Sequence, residues 1–354
     1  MKKWLQSLFV ILIAISLLPG LATGGEKSSA PTPEKPLELK WGHVLPGGKF
    51  LGHVECVMLA DYITKKTNGA ITFKIFPRAQ LGGGRSMFGQ IISGTLDMGN
   101  ISANVQATAY PEFYVLSLPF AFPNVDVFWD VCNYPGFREK MTKILREKAN
   151  VQLISFKNAT PRNLQNRLRP IRKVEDLKGI KLRVMEGKIY SDIYHALGTS
   201  SSTIPVPEIY TALQQGLVDG EDTTLSFANR LKLTEIEKYS TELNAMMSTN
   251  PLIMAGSTWD KLSKSQQQLF LDYAKELEVY DKENVEKQIE TARKEFVEKQ
   301  KGHIIKNSDL TREERASFEK AVKPIWLEYK EIVGEEFYNY FMDVLKIVRE
   351  KRGL

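Results

Sequence analysis

Reactive residues are scarce in this sequence, and the scarcity narrows what the protein does. Its 354 residues include two cysteines, Cys56 and Cys132, and four histidines, His43, His53, His195 and His303. The histidines are scattered and share no metal-ligand spacing with each other or with the cysteines, so zinc chemistry is not indicated. No Gly-x-Ser-x-Gly elbow is present. The glycine-rich "LGGGRS" (81–86) lacks the Lys-Ser/Thr pair of a phosphate loop, and it reads as a turn between a strand and a helix, as does "LPGGKF" (45–50). Beyond the N-terminus no apolar run is long enough to cross a bilayer. Charge of both signs is interspersed, and the densest basic stretch, "NRLRPIRK" (166–173), has no aromatic interleaving. A solvated face is its reading, and no nucleic-acid partner is expected.

What is present begins with an address. Lys2 and Lys3 precede an apolar run, Leu8 to Leu18, which Pro19 and Gly20 break, and Ala22 and Gly24 offer small residues for cleavage. That layout predicts a secretory signal over 1–24, and hence an exported, periplasmic protein. No cysteine near the cleavage region supports a lipid anchor. "EKSSAPTPEKP" (26–36) is rich in proline, serine and charge, so 25–36 reads as a disordered leader. A remaining chain of roughly 330 residues favours two domains. In an oxidising compartment Cys56 and Cys132 form either a disulfide or two buried, inert thiols; spacing does not choose between them.

Short strands alternate with helical patterns, which predicts an α/β fold. Strands are expected at 37–44, 71–77, 95–102, 151–157, near 217–220 and at 251–256, with helices at 53–69, around "SMFGQIISG", from 125, and at 207–216. From Lys264 the chain runs to Lys301 without proline or glycine, behind a Ser263–Gln266 capping box. A helix of about forty residues would span about 60 Å, enough to cross two domains. Thr311 and Glu314 cap a further helix, and the chain closes in helical "EEFYNYFMDVLKIVREKR".

Arg183 carries the chemical interest. In "GIKLRVMEG" (179–187), Ile180, Leu182 and Val184 share one face of a strand and Lys181, Arg183 and Met185 the other. Ligands of open α/β sheets bind outside the carboxyl ends of the strands, where Arg183 stands. A guanidinium matches a carboxylate in two-pronged geometry. Position alone favours a structural ion pair.

The stretch "DLKGIKLRVMEGKIYSDIYHALGTSSSTIPVPEIYTALQQGLVDGED" (176–222) resembles the solute-binding proteins of tripartite ATP-independent periplasmic (TRAP) transporters. "AQLGGGRSMFGQIISGTLDMG" (79–99), "PEFYVLSLPFAFPN" (111–124) and "PRNLQNRLRPI" (161–171) resemble further segments of that family in order. The resemblance implies a two-lobed α/β periplasmic binding protein with its ligand cleft between the lobes and a long helix spanning both. Lobe I is expected from 37–160 with about 249–288, and lobe II from 161–248 with about 289–354. The implied function is capture of an organic acid, without catalysis or cofactor, and its delivery to TRAP membrane permease subunits driven by an ion gradient. A sensory receptor as recipient, or an exported enzyme on the same lobes, are the alternatives.

Carried over by resemblance, Arg183 clamps the substrate carboxylate and Arg162 is a second ligand arginine. His43 and Asn104 face the cleft, and Met185, Asp222 and Thr223 join the ligand-binding set. Two departures stand out. Thr223 replaces a family asparagine, and one hydroxyl cannot supply both functions of an amide. Gly89 stands where many relatives carry an acid. Both predict a ligand whose distal end differs from the common sugar acids and dicarboxylates.

Overall fold

Residues 30–157 and 159–354 are described by a computed structural model. The expected signal segment 1–24, and the first leader residues 25–29, lie outside them. Thirteen strands occur among the described residues. They are β1 (Leu37–His43), β2 (Ile71–Phe76), β3 (Met98–Asn100), β4 (Val151–Ser155), β5 (Thr160–Pro161), β6 (Asn163–Asn166) and β7 (Lys181–Val184). The rest are β8 (Ser200–Thr203), β9 (Gly220–Thr223), β10 (Tyr239–Thr241), β11 (Met247–Ser248), β12 (Leu252–Ala255) and β13 (His303–Ile305). The helices begin with α1 (Leu51–Lys66), α2 (Gly84–Ser93), α3 (Ala103–Ala107), α4 (Val125–Cys132), α5 (Phe137–Ala149) and α6 (Lys188–Ala196). They continue with α7 (Ile209–Gln214), α8 (Leu225–Arg230), α9 (Gly256–Trp259), α10 (Lys264–Glu298), α11 (Arg312–Val333) and α12 (Glu335–Lys351).

Two sheets divide the strands. In lobe I the order is β2-β1-β3-β12-β4, with β1 parallel to β2 and β3, and β12 antiparallel to β3 and β4. In lobe II it is β13-β10-β6-β9-β7-β8, with β6 antiparallel to both β9 and β10. The chain passes between lobes twice in extended form, and there β5 pairs antiparallel with β11 (Met247 beside Pro161, Ser248 beside Thr160). A third passage is α10. Its 35 residues make it about 52 Å long at 1.5 Å per residue. It packs on α1 and β4 of lobe I and on α8 and β13 of lobe II.

Local chemistry explains most boundaries. Ser263 Oγ accepts from Gln266 N at 3.2 Å, and Gln266 Oε1 accepts from Ser263 N at 2.9 Å, the reciprocal cap expected. Such a cap contributes about 1 kcal/mol. The helix ends at Glu298, earlier than its sequence pattern suggests. Gly302 lies against the Phe296 ring, 2.3 Å from where a Cβ would stand, so the chain must turn there with no side chain. The helix expected from Val125 is broken in two, because Gly136 takes a left-handed φ of +84° just after Pro135. The strand near 217–220 starts only at Gly220. Asp219 occupies the turn before it, accepting from Lys181 N at 3.1 Å and Arg167 Nη2 at 2.9 Å.

Two further expectations need correction. Residues 30–36 are not a loose leader: Thr32 and Lys35 close a turn, and the buried Pro31 accepts from Gln266 Nε2 at 2.9 Å. The prolines stiffen this segment against the start of α10. Of the tail expected with lobe II, α11 does lie on it, with Tyr329 Oη donating to Asp192 at 2.7 Å and Arg172 paired to Glu314, but α12 returns to lobe I. Phe341 and Tyr340 of α12 lie beside Phe137, and Arg349 Nη2 donates to the carbonyls of Phe120 and Ala121 at 2.9 and 2.6 Å. Its aromatic stripe finds an apolar partner only there.

Cys56 and Cys132 are free and buried. They sit in different apolar clusters, and burial pushes the Cys56 thiol up to about 12 and raises Cys132 as well. The inert-thiol reading is the one the fold adopts.

Candidate functional site

The lobes meet across a cleft, and several contacts bridge it. Leu45 and Phe50, from the loop after β1, pack into lobe II's apolar cluster with Ile209, Leu213 and Phe227. Asn104 Nδ2 lies 3.8 Å from Met185 Sδ, and Arg85 N donates to the Glu186 carboxylate at 3.2 Å. Gly187 is required at this junction, since a Cβ there would stand 2.8 Å from the Asn104 Cβ. The arrangement is a closed one.

Between the lobes lies a cavity of about 100 Å³, which Arg162, Arg183, Met185 and Thr223 line. Sheet register explains the arginines. Adjacent strands place Ser240, Gln165, Glu221 and Arg183 side by side, so one polar row crosses β10, β6, β9 and β7. Arg183 Nε donates to the Ile204 carbonyl at 2.9 Å and Nη1 to Glu221 Oε2 at 3.3 Å. Arg162 Nε donates to both oxygens of Asp222 at 3.1 Å, and its Nη2 to the Asp222 carbonyl. Its guanidinium lies 4.9 Å above the Tyr190 ring. Each arginine retains one terminal nitrogen, Nη1 of Arg162 and Nη2 of Arg183, with no hydrogen bond to the described residues.

Burial sets the electrostatics. Desolvation would lower both guanidinium pKa values. Asp222 and Tyr190 more than reverse this for Arg162, while Arg183 stays lowered despite Glu221. Burial lifts the Glu221 carboxyl to about 7 against the pull of Arg183 and Arg162, and raises Asp222 also. The Arg162–Asp222 shifts thus point opposite ways for charge. The contact of Arg162 Nε with both Asp222 oxygens keeps that pair ionised, because arginine holds its proton in proteins. Behind Glu221 lies Glu237, wholly buried, raised by burial and then by Glu221, with neither carboxylate oxygen hydrogen-bonded. The like charge of Glu221 adds to burial in favouring a proton on Glu237.

The remaining expected residues lie elsewhere. Asp222 stands behind Arg162 and orients it without reaching the cavity. Asn104 touches Met185 but is not part of the cavity wall. His43 also does not line it. Its buried ring faces His53 at 3.1 Å, and burial with His53 lowers it to about 4. The end of β1 turns that side chain inward. Gly89 is exposed on α2 with open space around it, so its missing side chain has no bearing on the cavity.

Sequence reasoning missed Asn100, Phe50, Phe227 and Glu186, all in the cavity wall. A signal existed for two of them. Asn100 ends β3 and Phe50 closes the loop after β1, both at carboxyl ends of parallel strands. The paired acids Glu221 and Asp222 were readable too, since neighbours on a strand face opposite sides and each meets a different arginine.

Two α/β lobes, joined by crossing strands and a continuous helix and closing on a basic cavity, define a solute-binding protein. The model of the bacterial extracellular solute-binding protein family 7 matches residues 42–332, and the chain belongs to that family, the solute-binding proteins of TRAP transporters. It is 29% identical over 246 residues to a solute-binding protein of Roseobacter denitrificans, covering 70% of this chain and 74% of the relative. It is 25% identical over 289 residues to the sialic acid-binding periplasmic protein of Vibrio cholerae, covering 78% and 84%. The sugar acid binding protein of Advenella mimigardefordensis, solved with galactonate, superposes with a TM-score of 0.82 at 25% identity, over 88% of this chain and 99% of that one. Among the described residues no helix is long and apolar enough to cross a membrane, and no three His, Cys, Asp or Glu residues are placed to hold a metal ion.

Proposed function

We propose that this protein is exported to the periplasm, captures an organic acid through Arg183 and Arg162, and hands it to a TRAP permease. The observation that supports this reading is the spare nitrogen on each arginine at the wall of one inter-lobe cavity. In the open state the acid's carboxylate meets lobe II first. Hinge motion at the β5/β11 crossing then brings lobe I over it. Closure excludes water, and the ion pair strengthens as the local dielectric falls. Delivery follows from recognition of the closed form by the membrane subunits, with an ion gradient supplying the work.

The test is a thermal-shift panel of mono- and dicarboxylates, keto acids and sugar acids on the exported form. A ligand at a hundred times its Kd stabilises the folded state by about 2.7 kcal/mol, a readily measured rise. One acid that shifts wild type but not Arg183→Ala establishes the pair. A panel in which no acid shifts the wild type removes it.

A further inference from the structure

One of the contacts that bridge the cleft ties helix α2 of lobe I to the arginine-bearing strand of lobe II. On the reading that the lobes close over a captured acid, we infer that Glu186 is a positioning residue for the closed form. Its carboxylate caps α2 across the cleft, and breaking that cap speeds release of the acid.

Helix α2 has no cap of its own. An α-helix begins with backbone N–H groups that have no partner inside it, and a Ser, Thr, Asn or Asp before the first turn ordinarily satisfies one of them. Helices α10 and α11 follow that rule with Ser263 and Thr311. Before α2 stands Gly83, which has no side chain to offer, and the first turn contains no acid. The positive end of this helix is left bare by its own sequence.

The missing acid comes from the other lobe, 101 positions along the chain. Glu186 Oε2 accepts from Arg85 N at 3.2 Å. A Cβ on Gly83 would lie 3.6 Å from Glu186 Oε1, and one on Gly84 would lie 3.6 Å from Oε2, so both oxygens rest against the first turn. Gly83, Gly84 and Glu186 all line the inter-lobe cavity. Arg183 stands three positions before Glu186, so one short segment carries the proposed ligand arginine and the cap. Separation of the lobes breaks the cap, and the contact therefore favours only the closed form. An acid trapped there leaves through the open form, so its release rate follows the fraction of time the lobes are apart.

Stopped-flow kinetics on the exported form tests this. Galactonate, orotate, succinate and pyruvate are the probes, and the tightest binder of the four is carried forward. Glu186→Ala should release it about fivefold faster than wild type, with the association rate within about twofold. Glu186→Gln, which keeps an acceptor without the charge, should fall between. On the helix side, Arg85→Pro deletes the donating N–H in a first turn, where proline is tolerated. It should release the acid about threefold faster than Arg85→Ala, which keeps that N–H. In a Glu186→Ala background this difference should vanish, because both changes remove one contact. Equal release from wild type and Glu186→Ala overturns the inference and leaves the capture reading intact. So does slower association with unchanged release, which makes Glu186 a wall residue only. Silence of all four probes and of the wider acid panel removes the capture reading and this inference with it. Should Arg85→Pro not fold, the two Glu186 variants still decide.

Discussion

The molecule buries charge in two places, and the two are built differently. In lobe II, Arg162 and Arg183 meet Asp222 and Glu221 at the wall of the inter-lobe cavity. At the hinge, Lys157 lies 3.0 Å from Glu55 of α1, while Asp281 of α10 accepts from Ala159 N at 3.3 Å. None of these three acidic and basic hinge residues reaches the cavity. Burial, then Glu55, raises Asp281, so a proton remains between the two acids. The ammonium is a compact charge whose ion pair with Glu55 ties the chain after β4 to α1, with Asp281 of α10 adding to its field. A guanidinium has five donors in a plane, so it can be held by one acid and still offer nitrogen to a ligand. Similar burial therefore leaves donor nitrogens free at the cavity in one case and ties elements together in the other.

That contrast can be broken at several points. The largest effect is expected from Arg183→Ala. Removing one partner of a buried charged contact costs about 2–5 kcal/mol, so affinity for the acid should fall by some thirtyfold to several thousandfold. A calorimetric loss below threefold would make Arg183 another fastening. Lys157→Met should act on the other side of the comparison. It leaves Glu55 and Asp281 without their cation and should lower unfolding free energy by about 3–5 kcal/mol in urea titrations, with the order of ligand preference unchanged. A variant as stable as wild type would show that the hinge cluster fastens nothing.

pH sharpens the comparison at intermediate size. A bound carboxylate beside Arg183 raises Glu221 further, so binding takes up protons and affinity should weaken as pH rises through 7. The expected change between pH 6 and 8 is under about tenfold, and Glu221→Gln should flatten it. Stability has its own sign. Glu221 is lifted from 4.5 to about 7 on folding, so the folded state holds more protons and stability falls as pH rises across that window. His43 is lowered from 6.5 to about 4, so its contribution runs oppositely, rising with pH between 4 and 6.5. Denaturation of His43→Gln across pH 4–7 should therefore lose the rising component, whereas Glu221→Gln should lose the falling one. The smallest effect belongs to Gly89→Glu. An exposed position on α2 should leave ligand affinity within about twofold, and a larger change would place that face nearer the ligand than the fold does.

How far the sequence could be read depended on whether a residue's role was local. Strand alternation at Leu37, Leu39 and Trp41, the Ser263–Gln266 cap and the unbroken run after Lys264 were legible because period and capping act over a few residues. Helix ends were less so. Gly302 stops α10 through a contact with Phe296 that periodicity does not contain. At the site, Arg183 and Arg162 stood out by type and by likeness to family segments. The contact of Phe50 with Phe227 did not, because the two are 177 positions apart and meet only when the lobes do. His43 misled for the related reason that a strand's end fixes where a residue is but not which way its ring turns.

Helix α10 has one more consequence, for how the molecule comes apart. Phe270, Ala274 and Leu277 belong to the core of lobe I, while Ala292 and Phe296 pack with Leu225 beneath lobe II. A single run of backbone hydrogen bonds thus links both interiors. Neither lobe can melt without unwinding a turn on which the other depends. Heating should show one transition with calorimetric and van't Hoff enthalpies equal, so that two compact halves behave as one thermodynamic particle.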